Sequence, residues 1–117
     1  MIEFIEPLKI INNIQKFEKN FFPYDNVDDK QIKYYLETKN FIDVSDGHHN
    51  GYMDSSDIHA QRIASIVNLI NNNVNINPVI IYNVNGQYEI DDGHHRLRAY
   101  HFINKNIPVI FEYEYDD

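Results

Sequence analysis

The sequence contains no cysteine. This absence excludes disulfide bonds, thiolate zinc sites, cysteine nucleophiles and thiol redox chemistry. Long apolar runs are also missing, because none approaches the roughly 18 residues that a membrane-spanning helix needs. The first ten residues, MIEFIEPLKI, carry a glutamate at position three and lack the small-residue cleavage site of a secretion signal. We therefore expect no membrane segment and a cytoplasmic location.

Positive charge is scarce as well. Ten lysines and arginines stand against 18 aspartates and glutamates, which gives a net charge of -8 and a pI of about 5.1. Nonspecific coating of DNA is disfavoured, because it depends on cationic contacts to phosphates, although a local basic site is compatible with an acidic protein. The chain has 117 residues, of which 43% are apolar and 24% charged. This composition predicts one globular domain without room for a second core.

The first half of the chain predicts an edge strand followed by helices. Ile2–Ile10 is short and apolar, and Pro7 within it suits an edge strand because such a strand can lack one amide donor. Apolar residues then recur at helical spacing in an amphipathic helix that ends before Pro23. A second, shorter helix is capped by Asn26 or Asp28. The apolar rows of these two helices are Ile10, Ile14, Phe17 and Phe21, and Ile32, Tyr35 and Leu36.

The middle of the chain predicts a strand, a loop and a long helix. Phe41–Val44 indicates a brief strand. Ser45–Tyr52 holds two glycines, an aspartate and two histidines, a composition typical of a loop. Ser55–Asp57 then supplies cap residues for the clearest helix of the chain. The buried row of this helix is Ile63, Ile66, Val67 and Ile70.

The C-terminal part predicts a β-hairpin, a helix and a final strand. Val79–Val84 is apolar and β-branched. Asn85-Gly86 follows it and is a strong signal for a type I′ hairpin turn, because both central positions of that turn need a positive φ. The second strand returns over Gln87–Ile90. A helical pattern resumes over His94–Ile103, and Ile107–Tyr115 alternates as a strand.

The turn before this last helix contains the residues best suited to ligand binding or catalysis, and its sequence is Asp92-Gly93-His94-His95-Arg96. The first amides of a helix have no partner within the helix, and the helix dipole adds partial positive charge, so the turn can bind an anion. Gly93 allows close approach to the backbone, and Arg96 can hold a phosphate bidentately. His94 and His95 lie at the entrance, where they can transfer protons or hydrogen-bond a phosphate.

Simpler interpretations of the same turn stay open. Asp-Gly before a helix is a common cap and turn, and an arginine in a first turn is often only solvated. Asp92 would be repelled by a bare phosphate. Its presence therefore indicates a metal ion, a hydroxyl substrate or a helix cap.

The six histidines also include a second doublet, since Asp46-Gly47-His48-His49 repeats the letters of residues 92–95. Histidines and carboxylates of the two segments could bind a transition metal. Adjacent histidines point apart on strands and lie about 100° apart on helices, however, so two doublets rarely give four ligands to one ion. Alternatively, His48 and His49 are solvated residues of a loop. The sequence does not identify a bound metal. His59 is expected on the exposed side of its helix.

Residues 58–111 resemble the ParB/sulfiredoxin superfamily. The family pattern is a helix, a loop ending in Asn-Pro or Gln-Pro, a β-hairpin, a Gly-x-x-Arg turn, a helix, and a strand that opens with Ile-Pro or Val-Pro. The chain follows this order as IHAQRIASIVNLINNNVNINPVIIYNVNGQYEIDDGHHRLRAYHFINKNIPVIF. The resemblance implies a compact α/β (α+β) fold with a small mixed sheet, a C-terminal β-hairpin–helix–strand unit and additional N-terminal helices. It predicts a single domain over residues 1–117, with residues 1–57 packed on it as an unplaced extension.

The resemblance also implies a nucleotide site. Members of the superfamily hold triphosphates at the Gly-x-x-Arg turn; partition proteins use CTP, sulfiredoxin uses ATP, and a free-serine kinase carries a very similar DGHHR turn. By position, Gly93, His94, His95 and Arg96 would contact a nucleoside triphosphate, with magnesium accompanying ATP or CTP. Ala99 would pack the helix closely.

Departures from the family pattern reduce the number of activities that the resemblance allows. His94 stands at the position of the sulfiredoxin cysteine, which excludes sulfinic acid repair through that nucleophile. Partition proteins have Gly-Glu-Arg-Arg and further DNA-reading and dimerisation segments, whereas this chain has Gly-His-His-Arg and stops after one strand. We therefore do not expect a complete partition protein. An NTPase or kinase-like phosphotransferase is favoured, and a nuclease acting on DNA or RNA is the alternative.

Phosphoryl transfer depends on positioning and charge neutralisation, and a carboxylate must orient the accepting hydroxyl or water. Asp92 is the nearest candidate in sequence. Asp46 and Asp54 become candidates if the Ser45–Ser56 loop folds over the turn. A small hydroxyl compound would then be the acceptor, and nucleic acid would be the substrate of the alternative nuclease.

A third hypothesis is a non-enzymatic protein that binds a protein partner through an acidic surface. Acidic residues cluster in two segments, with Asp25, Asp28 and Asp29 in the first and Glu112, Glu114, Asp116 and Asp117 in the second. Such clusters are equally typical of solvated faces that maintain solubility.

Overall fold

We analysed a computed structural model of the chain. It describes residues 1–16, 19, 24, 26–41 and 55–113, apart from the side chains of Asp91, Asp92 and Tyr113. The order of elements is β1 (Glu3–Ile5), α1 (Pro7–Ile11), α2 (Asp29–Thr38), α3 (Ser56–Asn71), β2 (Val79–Val84), β3 (Gln87–Asp92), α4 (His94–Ile103) and β4 (Ile107–Tyr113).

The strands form one mixed sheet in the order β1-β4-β2-β3. β2 and β3 pair antiparallel, and the φ angles of Asn85 and Gly86 between them are 54° and 86°, as a type I′ turn requires. β4 lies parallel to β2, with Val109 opposite Val79. β1 pairs antiparallel with the other side of β4 and forms an edge of the sheet. The predicted α/β (α+β) fold with its hairpin–helix–strand unit is confirmed.

The helix α4 lies between the sheet on one side and the helices α2 and α3 on the other. Its Leu97 is buried in a core that α1 and the sheet share, whose members are Ile10, Ile11, Ile14, Val79, Ile81, Ile90, Leu97, Ile107 and Val109. Its Ala99 is fully buried in a second core with α2 and α3, formed by Val27, Ile32, Ala60, Ile63, Ala64, Ile66, Val67 and Ala99. The N-terminus of α4 is therefore fixed by packing on both sides.

Side-chain caps begin two of the helices where the sequence predicts them. Asp28 precedes α2, accepts a hydrogen bond from the amide of Lys30 at 2.8 Å and forms a capping box with Gln31. Ser55 precedes α3, and its hydroxyl oxygen accepts from the amide of Ile58 at 3.3 Å. These contacts fix the entry of both helices beside α4.

The first predicted helix is wrong as a continuous element. α1 begins at Pro7, which takes the first helical position instead of lying in a strand, and it ends at Ile11. Asn13 closes the end, because its side-chain amide donates to the carbonyl of Lys9 at 2.7 Å. Ile14 is buried as its spacing predicts, but it forms an isolated bridge with Tyr88 of β3.

The predicted strand over Phe41–Val44 is not observed at Phe41, and several other predictions concern residues that the structure does not describe. Phe41 is not in a strand, and the rest of Phe41–Val44 lies outside the described residues, as do Phe17, Phe21 and the Ser45–Tyr52 segment. The described helices include none that is long and apolar enough to cross a membrane.

Candidate functional site

The turn between β3 and α4 brings the backbone close to β2. Gly93 has a φ of 132°, a conformation that residues with a side chain rarely adopt. A Cβ atom at this position would lie 2.8 Å from Cγ2 of Val79, closer than carbon atoms pack. Gly93 offers no side chain to cap α4, and its carbonyl accepts from the amide of Leu97 at 2.9 Å. The geometry therefore requires glycine at the residue that precedes α4.

The guanidinium of Arg96 lies over this turn. Its Nε is 3.3 Å from the position that a Cβ of Gly93 would take. Its Nη1 donates to the carbonyl oxygens of Asn77 at 2.9 Å and Pro78 at 3.1 Å, the two residues before β2. Arg96 thus places a fixed positive charge at the N-terminal end of α4.

The charge of Arg96 also acts along its own helix. Burial raises the pKa of Tyr100, one turn further on, and the nearby guanidinium lowers it in part. The hydroxyl of Tyr100 is consequently protonated at neutral pH.

His94 is buried, with 6% of its surface exposed, instead of lying at an open entrance. Its Nδ1 lies 2.6 Å from the hydroxyl of Tyr24, and the two rings meet edge to face. Burial removes water from the ring and lowers the pKa of His94 to about 4. His94 is therefore neutral at pH 7 and adds no positive charge to the turn.

His95 contacts α3. Its Nε2 lies 2.7 Å from Nδ1 of His59, and the ring centroids are 4.9 Å apart. His59 is 1% exposed, so the prediction that it occupies the exposed side of its helix is wrong. The two histidines join the first turns of α3 and α4.

The second doublet and most of the carboxylate candidates fall on residues that the structure does not describe. His48, His49, Asp46 and Asp54 lie outside the described residues. Asp92 is the last residue of β3 and directly precedes Gly93, so its backbone belongs to the turn. Among the residues that the structure describes, no group of three or more histidines and carboxylates is arranged to hold a metal ion.

Two members of the first acidic cluster, Asp28 and Asp29, make structural contacts while they remain exposed. Asp28 caps α2, and Asp29 accepts a hydrogen bond from Nη2 of Arg98, which is buried. The same Nη2 donates to the carbonyl of Val27 at 3.2 Å. Glu112 is exposed; Asp25 and the remaining members of the second cluster lie outside the described residues.

Sequence reasoning missed two residues of the site, Tyr24 and His59. His59 had a detectable signal, because it precedes Ile63 by four positions and so extends the buried row of α3. Tyr24 had none, since it stands one residue after Pro23 in a segment without periodicity.

One of three comparisons with known proteins gave a match, and that match includes this site and the helices beside it. Neither the curated proteins nor the solved structures gave a match. The family model of the ParB N-terminal domain matches residues 27–116 and so includes α2, α3, the hairpin, α4 and β4. The chain belongs to the ParB N-terminal domain family.

Proposed function

We propose that the protein binds a nucleoside triphosphate, ATP or CTP with magnesium, at residues 93–96 and hydrolyses it or transfers a phosphoryl group to a small hydroxyl acceptor. The observation that carries the proposal is Gly93, whose backbone conformation and contact with Val79 exclude any side chain. Gly93 also brings no side chain of its own to cap the N-terminus of α4, an end of the helix that favours anions. Arg96 supplies a second, charged partner at the same turn.

The neutral state of His94 refines the roles within the site. His94 is uncharged at pH 7, so phosphate charge would be balanced by the helix terminus, Arg96 and magnesium instead. Magnesium would be bound mainly by phosphate oxygens and water, as is usual for nucleotide complexes. Asp92, next to Gly93 in sequence, and Asp46 are the candidate carboxylates that would orient the acceptor or bind the metal.

Titration calorimetry with ATP and CTP, each with and without magnesium, tests this proposal. We expect binding that Arg96→Ala weakens by at least tenfold, because a charge-assisted phosphate contact is lost. The matched control is Lys105→Ala, which removes one exposed positive charge just beyond the C-terminal end of α4. Equal weakening by both variants, or no heat with any nucleotide at millimolar concentration, would contradict the proposal.

The nuclease alternative is decided by a parallel assay. Labelled DNA and RNA are incubated with the protein and magnesium, manganese or zinc. Metal-dependent cleavage that persists through purification and disappears in His94→Ala would indicate a nuclease. Phosphoryl transfer to a small acceptor is tested with Asp92→Asn and Asp46→Asn, which we expect to lower turnover while nucleotide binding remains.

A further inference from the structure

The tip of the hairpin between β2 and β3 presents an asparagine directly before a glycine. Asn85 and Gly86 are both exposed, and their φ angles of 54° and 86° place them in the turn itself. A Cβ atom added at Gly86 would meet no atom within 4 Å beyond its chain neighbours. The residues that the structure describes therefore leave this side of the turn open to water.

An asparagine in this setting is prone to deamidation, the reaction that makes asparagine a thermolabile residue. The amide nitrogen of the following residue loses its proton to solvent, attacks Cγ and forms a new N–Cγ bond. The bond from Cγ to the side-chain nitrogen breaks, and that nitrogen takes up a proton from solvent and leaves as ammonia. Water then opens the resulting succinimide at either carbonyl and gives aspartate or isoaspartate. Glycine favours the attack, because it has no side chain that hinders the approach of Cγ.

The nitrogen that would attack makes a hydrogen bond in the folded protein. The amide N–H of Gly86 donates to Oδ1 of Asn83 at 3.0 Å. Asn83 lies opposite Tyr88 in the hairpin, and the next pair, Val84 and Gln87, closes the ladder at the turn. The side chain of Asn83 therefore adds one hydrogen bond from the end of β2 to the backbone of the turn.

This hydrogen bond opposes the first step of deamidation. The amide nitrogen of Gly86 must give its proton to a base in solvent before it attacks, and the proton is shielded while Oδ1 of Asn83 accepts it. Hydrogen exchange of the same amide requires the same opening and the same loss of the proton. One contact therefore protects Gly86 against exchange and Asn85 against deamidation.

We propose that Asn85 is a deamidation site and that the side chain of Asn83 slows its conversion by holding the amide proton of Gly86. This inference is independent of the proposed nucleotide site. Isoaspartate would insert an additional backbone carbon between β2 and β3, so the register beside a two-residue turn would not be retained. Aspartate would add one negative charge to a chain of net charge -8 but keep the turn, because Asp-Gly also suits type I′.

Two measurements on the folded protein test this proposal. NMR follows hydrogen exchange of the Gly86 amide, and peptide mapping by mass spectrometry follows conversion of Asn85 during incubation at mildly alkaline pH. We expect Asn83→Ala to accelerate both processes about fivefold, the factor that corresponds to one neutral hydrogen bond. Asn83→Asp keeps an oxygen acceptor at the same position, so neither process should be faster than in the wild type.

The chain offers two controls. Asn50-Gly51 is the other Asn-Gly pair of the sequence, and its conversion, measured in the same digest, should not respond to Asn83→Ala. Asn85→Gly removes the reactive side chain but keeps a residue that adopts a positive φ, so the product at the hairpin tip should disappear. Slow exchange at Ile81, in the centre of β2, verifies that the hairpin remains paired in each variant.

The outcomes are distinct. Unchanged exchange and conversion in folded Asn83→Ala would overturn the role of Asn83. Faster exchange without faster conversion would also overturn it, because the conformation of the turn would then limit the reaction instead of the amide proton. Exchange of the wild-type Gly86 amide at the rate of an unstructured peptide would show that the hydrogen bond gives no protection. Absence of conversion at Asn85 in both proteins, while Asn50 converts, would overturn the modification site itself.

Discussion

The hydroxyl of Tyr24 lies 2.6 Å from Nδ1 of His94, so a residue that precedes α2 holds the first histidine of the α4 turn. The two residues are 70 positions apart in sequence. Because His94 is also buried, its ring is fixed in position and kept neutral. The same contact ties the segment before α2 to the candidate nucleotide site.

The first prediction concerns stability at acidic pH. The pKa of His94 is about 4 in the folded protein and has an ordinary value of 6.5 in the unfolded chain. Between these values the unfolded state binds more protons, so the contribution of neutral His94 is complete above pH 6.5 and is lost as the pH falls toward 4. We expect a loss of about 3 kcal/mol in the free energy of unfolding from this group.

Urea unfolding at several pH values between 4 and 8 measures this loss. Other groups titrate in the same range, so His94→Gln is the matched control and should show a flatter dependence on pH. Identical slopes for the two proteins would contradict a buried, neutral His94.

The second prediction separates burial from hydrogen bonding. Burial is the cause of the lowered pKa of His94. Tyr24→Phe removes the hydroxyl but keeps the aromatic ring, so we expect His94 to retain a pKa well below 6.5 in an NMR titration. A return to about 6.5 in this variant would show that the hydroxyl, and not the apolar surroundings, keeps the ring neutral.

The third prediction is a severe effect of Gly93→Ala. The backbone would be strained at a φ of 132°, and the new Cβ would overlap Cγ2 of Val79. We expect a loss of about 3 kcal/mol in thermal or urea unfolding. In a Val79→Ala background the overlap is relieved while the strain remains, so Gly93→Ala should cost about 1 kcal/mol less there. The same cost in both backgrounds would assign the whole effect to backbone strain.

The fourth prediction concerns Arg98 and Asp29, which join α4 to α2. Arg98 is 5% exposed, whereas the Asp29 side chain is 68% exposed. Asp29→Ala leaves a buried guanidinium without its carboxylate, and we expect it to cost about 2 kcal/mol. Arg98→Met removes the buried charge itself and fills similar space, so it should cost less.

Urea unfolding of the two variants decides the order. Asp57→Ala removes a carboxylate from the first turn of α3 together with the hydrogen bond that Asp57 accepts from Gln31, so a larger loss in Asp29→Ala assigns the difference to Arg98. If Arg98→Met were the more destabilising change, the ion pair would contribute more than the burial of its charge costs.

The C-terminal half of the fold could be predicted from the sequence because its signals are local. Asn85 and Gly86 have the positive φ angles that their residue types favour. The helical spacing of apolar residues predicted a helix over His94–Ile103, and α4 has these ends in the structure. The turn before α4 requires glycine at position 93, because of its φ angle and its contact with Val79, and the sequence has glycine there.

The parts of the candidate site that could not be predicted from the sequence depend on contacts between distant segments. His95 is oriented by His59, 36 positions away, and no periodicity encodes that pair. The break after α1 had a similar origin, since the carbonyl of Asn13 accepts from the amide of Tyr88 at 2.9 Å. A pairing with β3 therefore overrides the helical spacing of Ile10 and Ile14.

The position of β1 has a consequence for folding. Glu3 pairs with Val109 and Ile5 with Ile107, so β1 and β4, the first and last of the four described strands, are neighbours in the sheet. During synthesis β1 has no partner until β4 emerges, whereas β2 and β3 can close across a two-residue turn at once. We expect the sheet to assemble from the hairpin outward, through α4 and β4, and to be completed by β1, which is synthesised before the other three described strands.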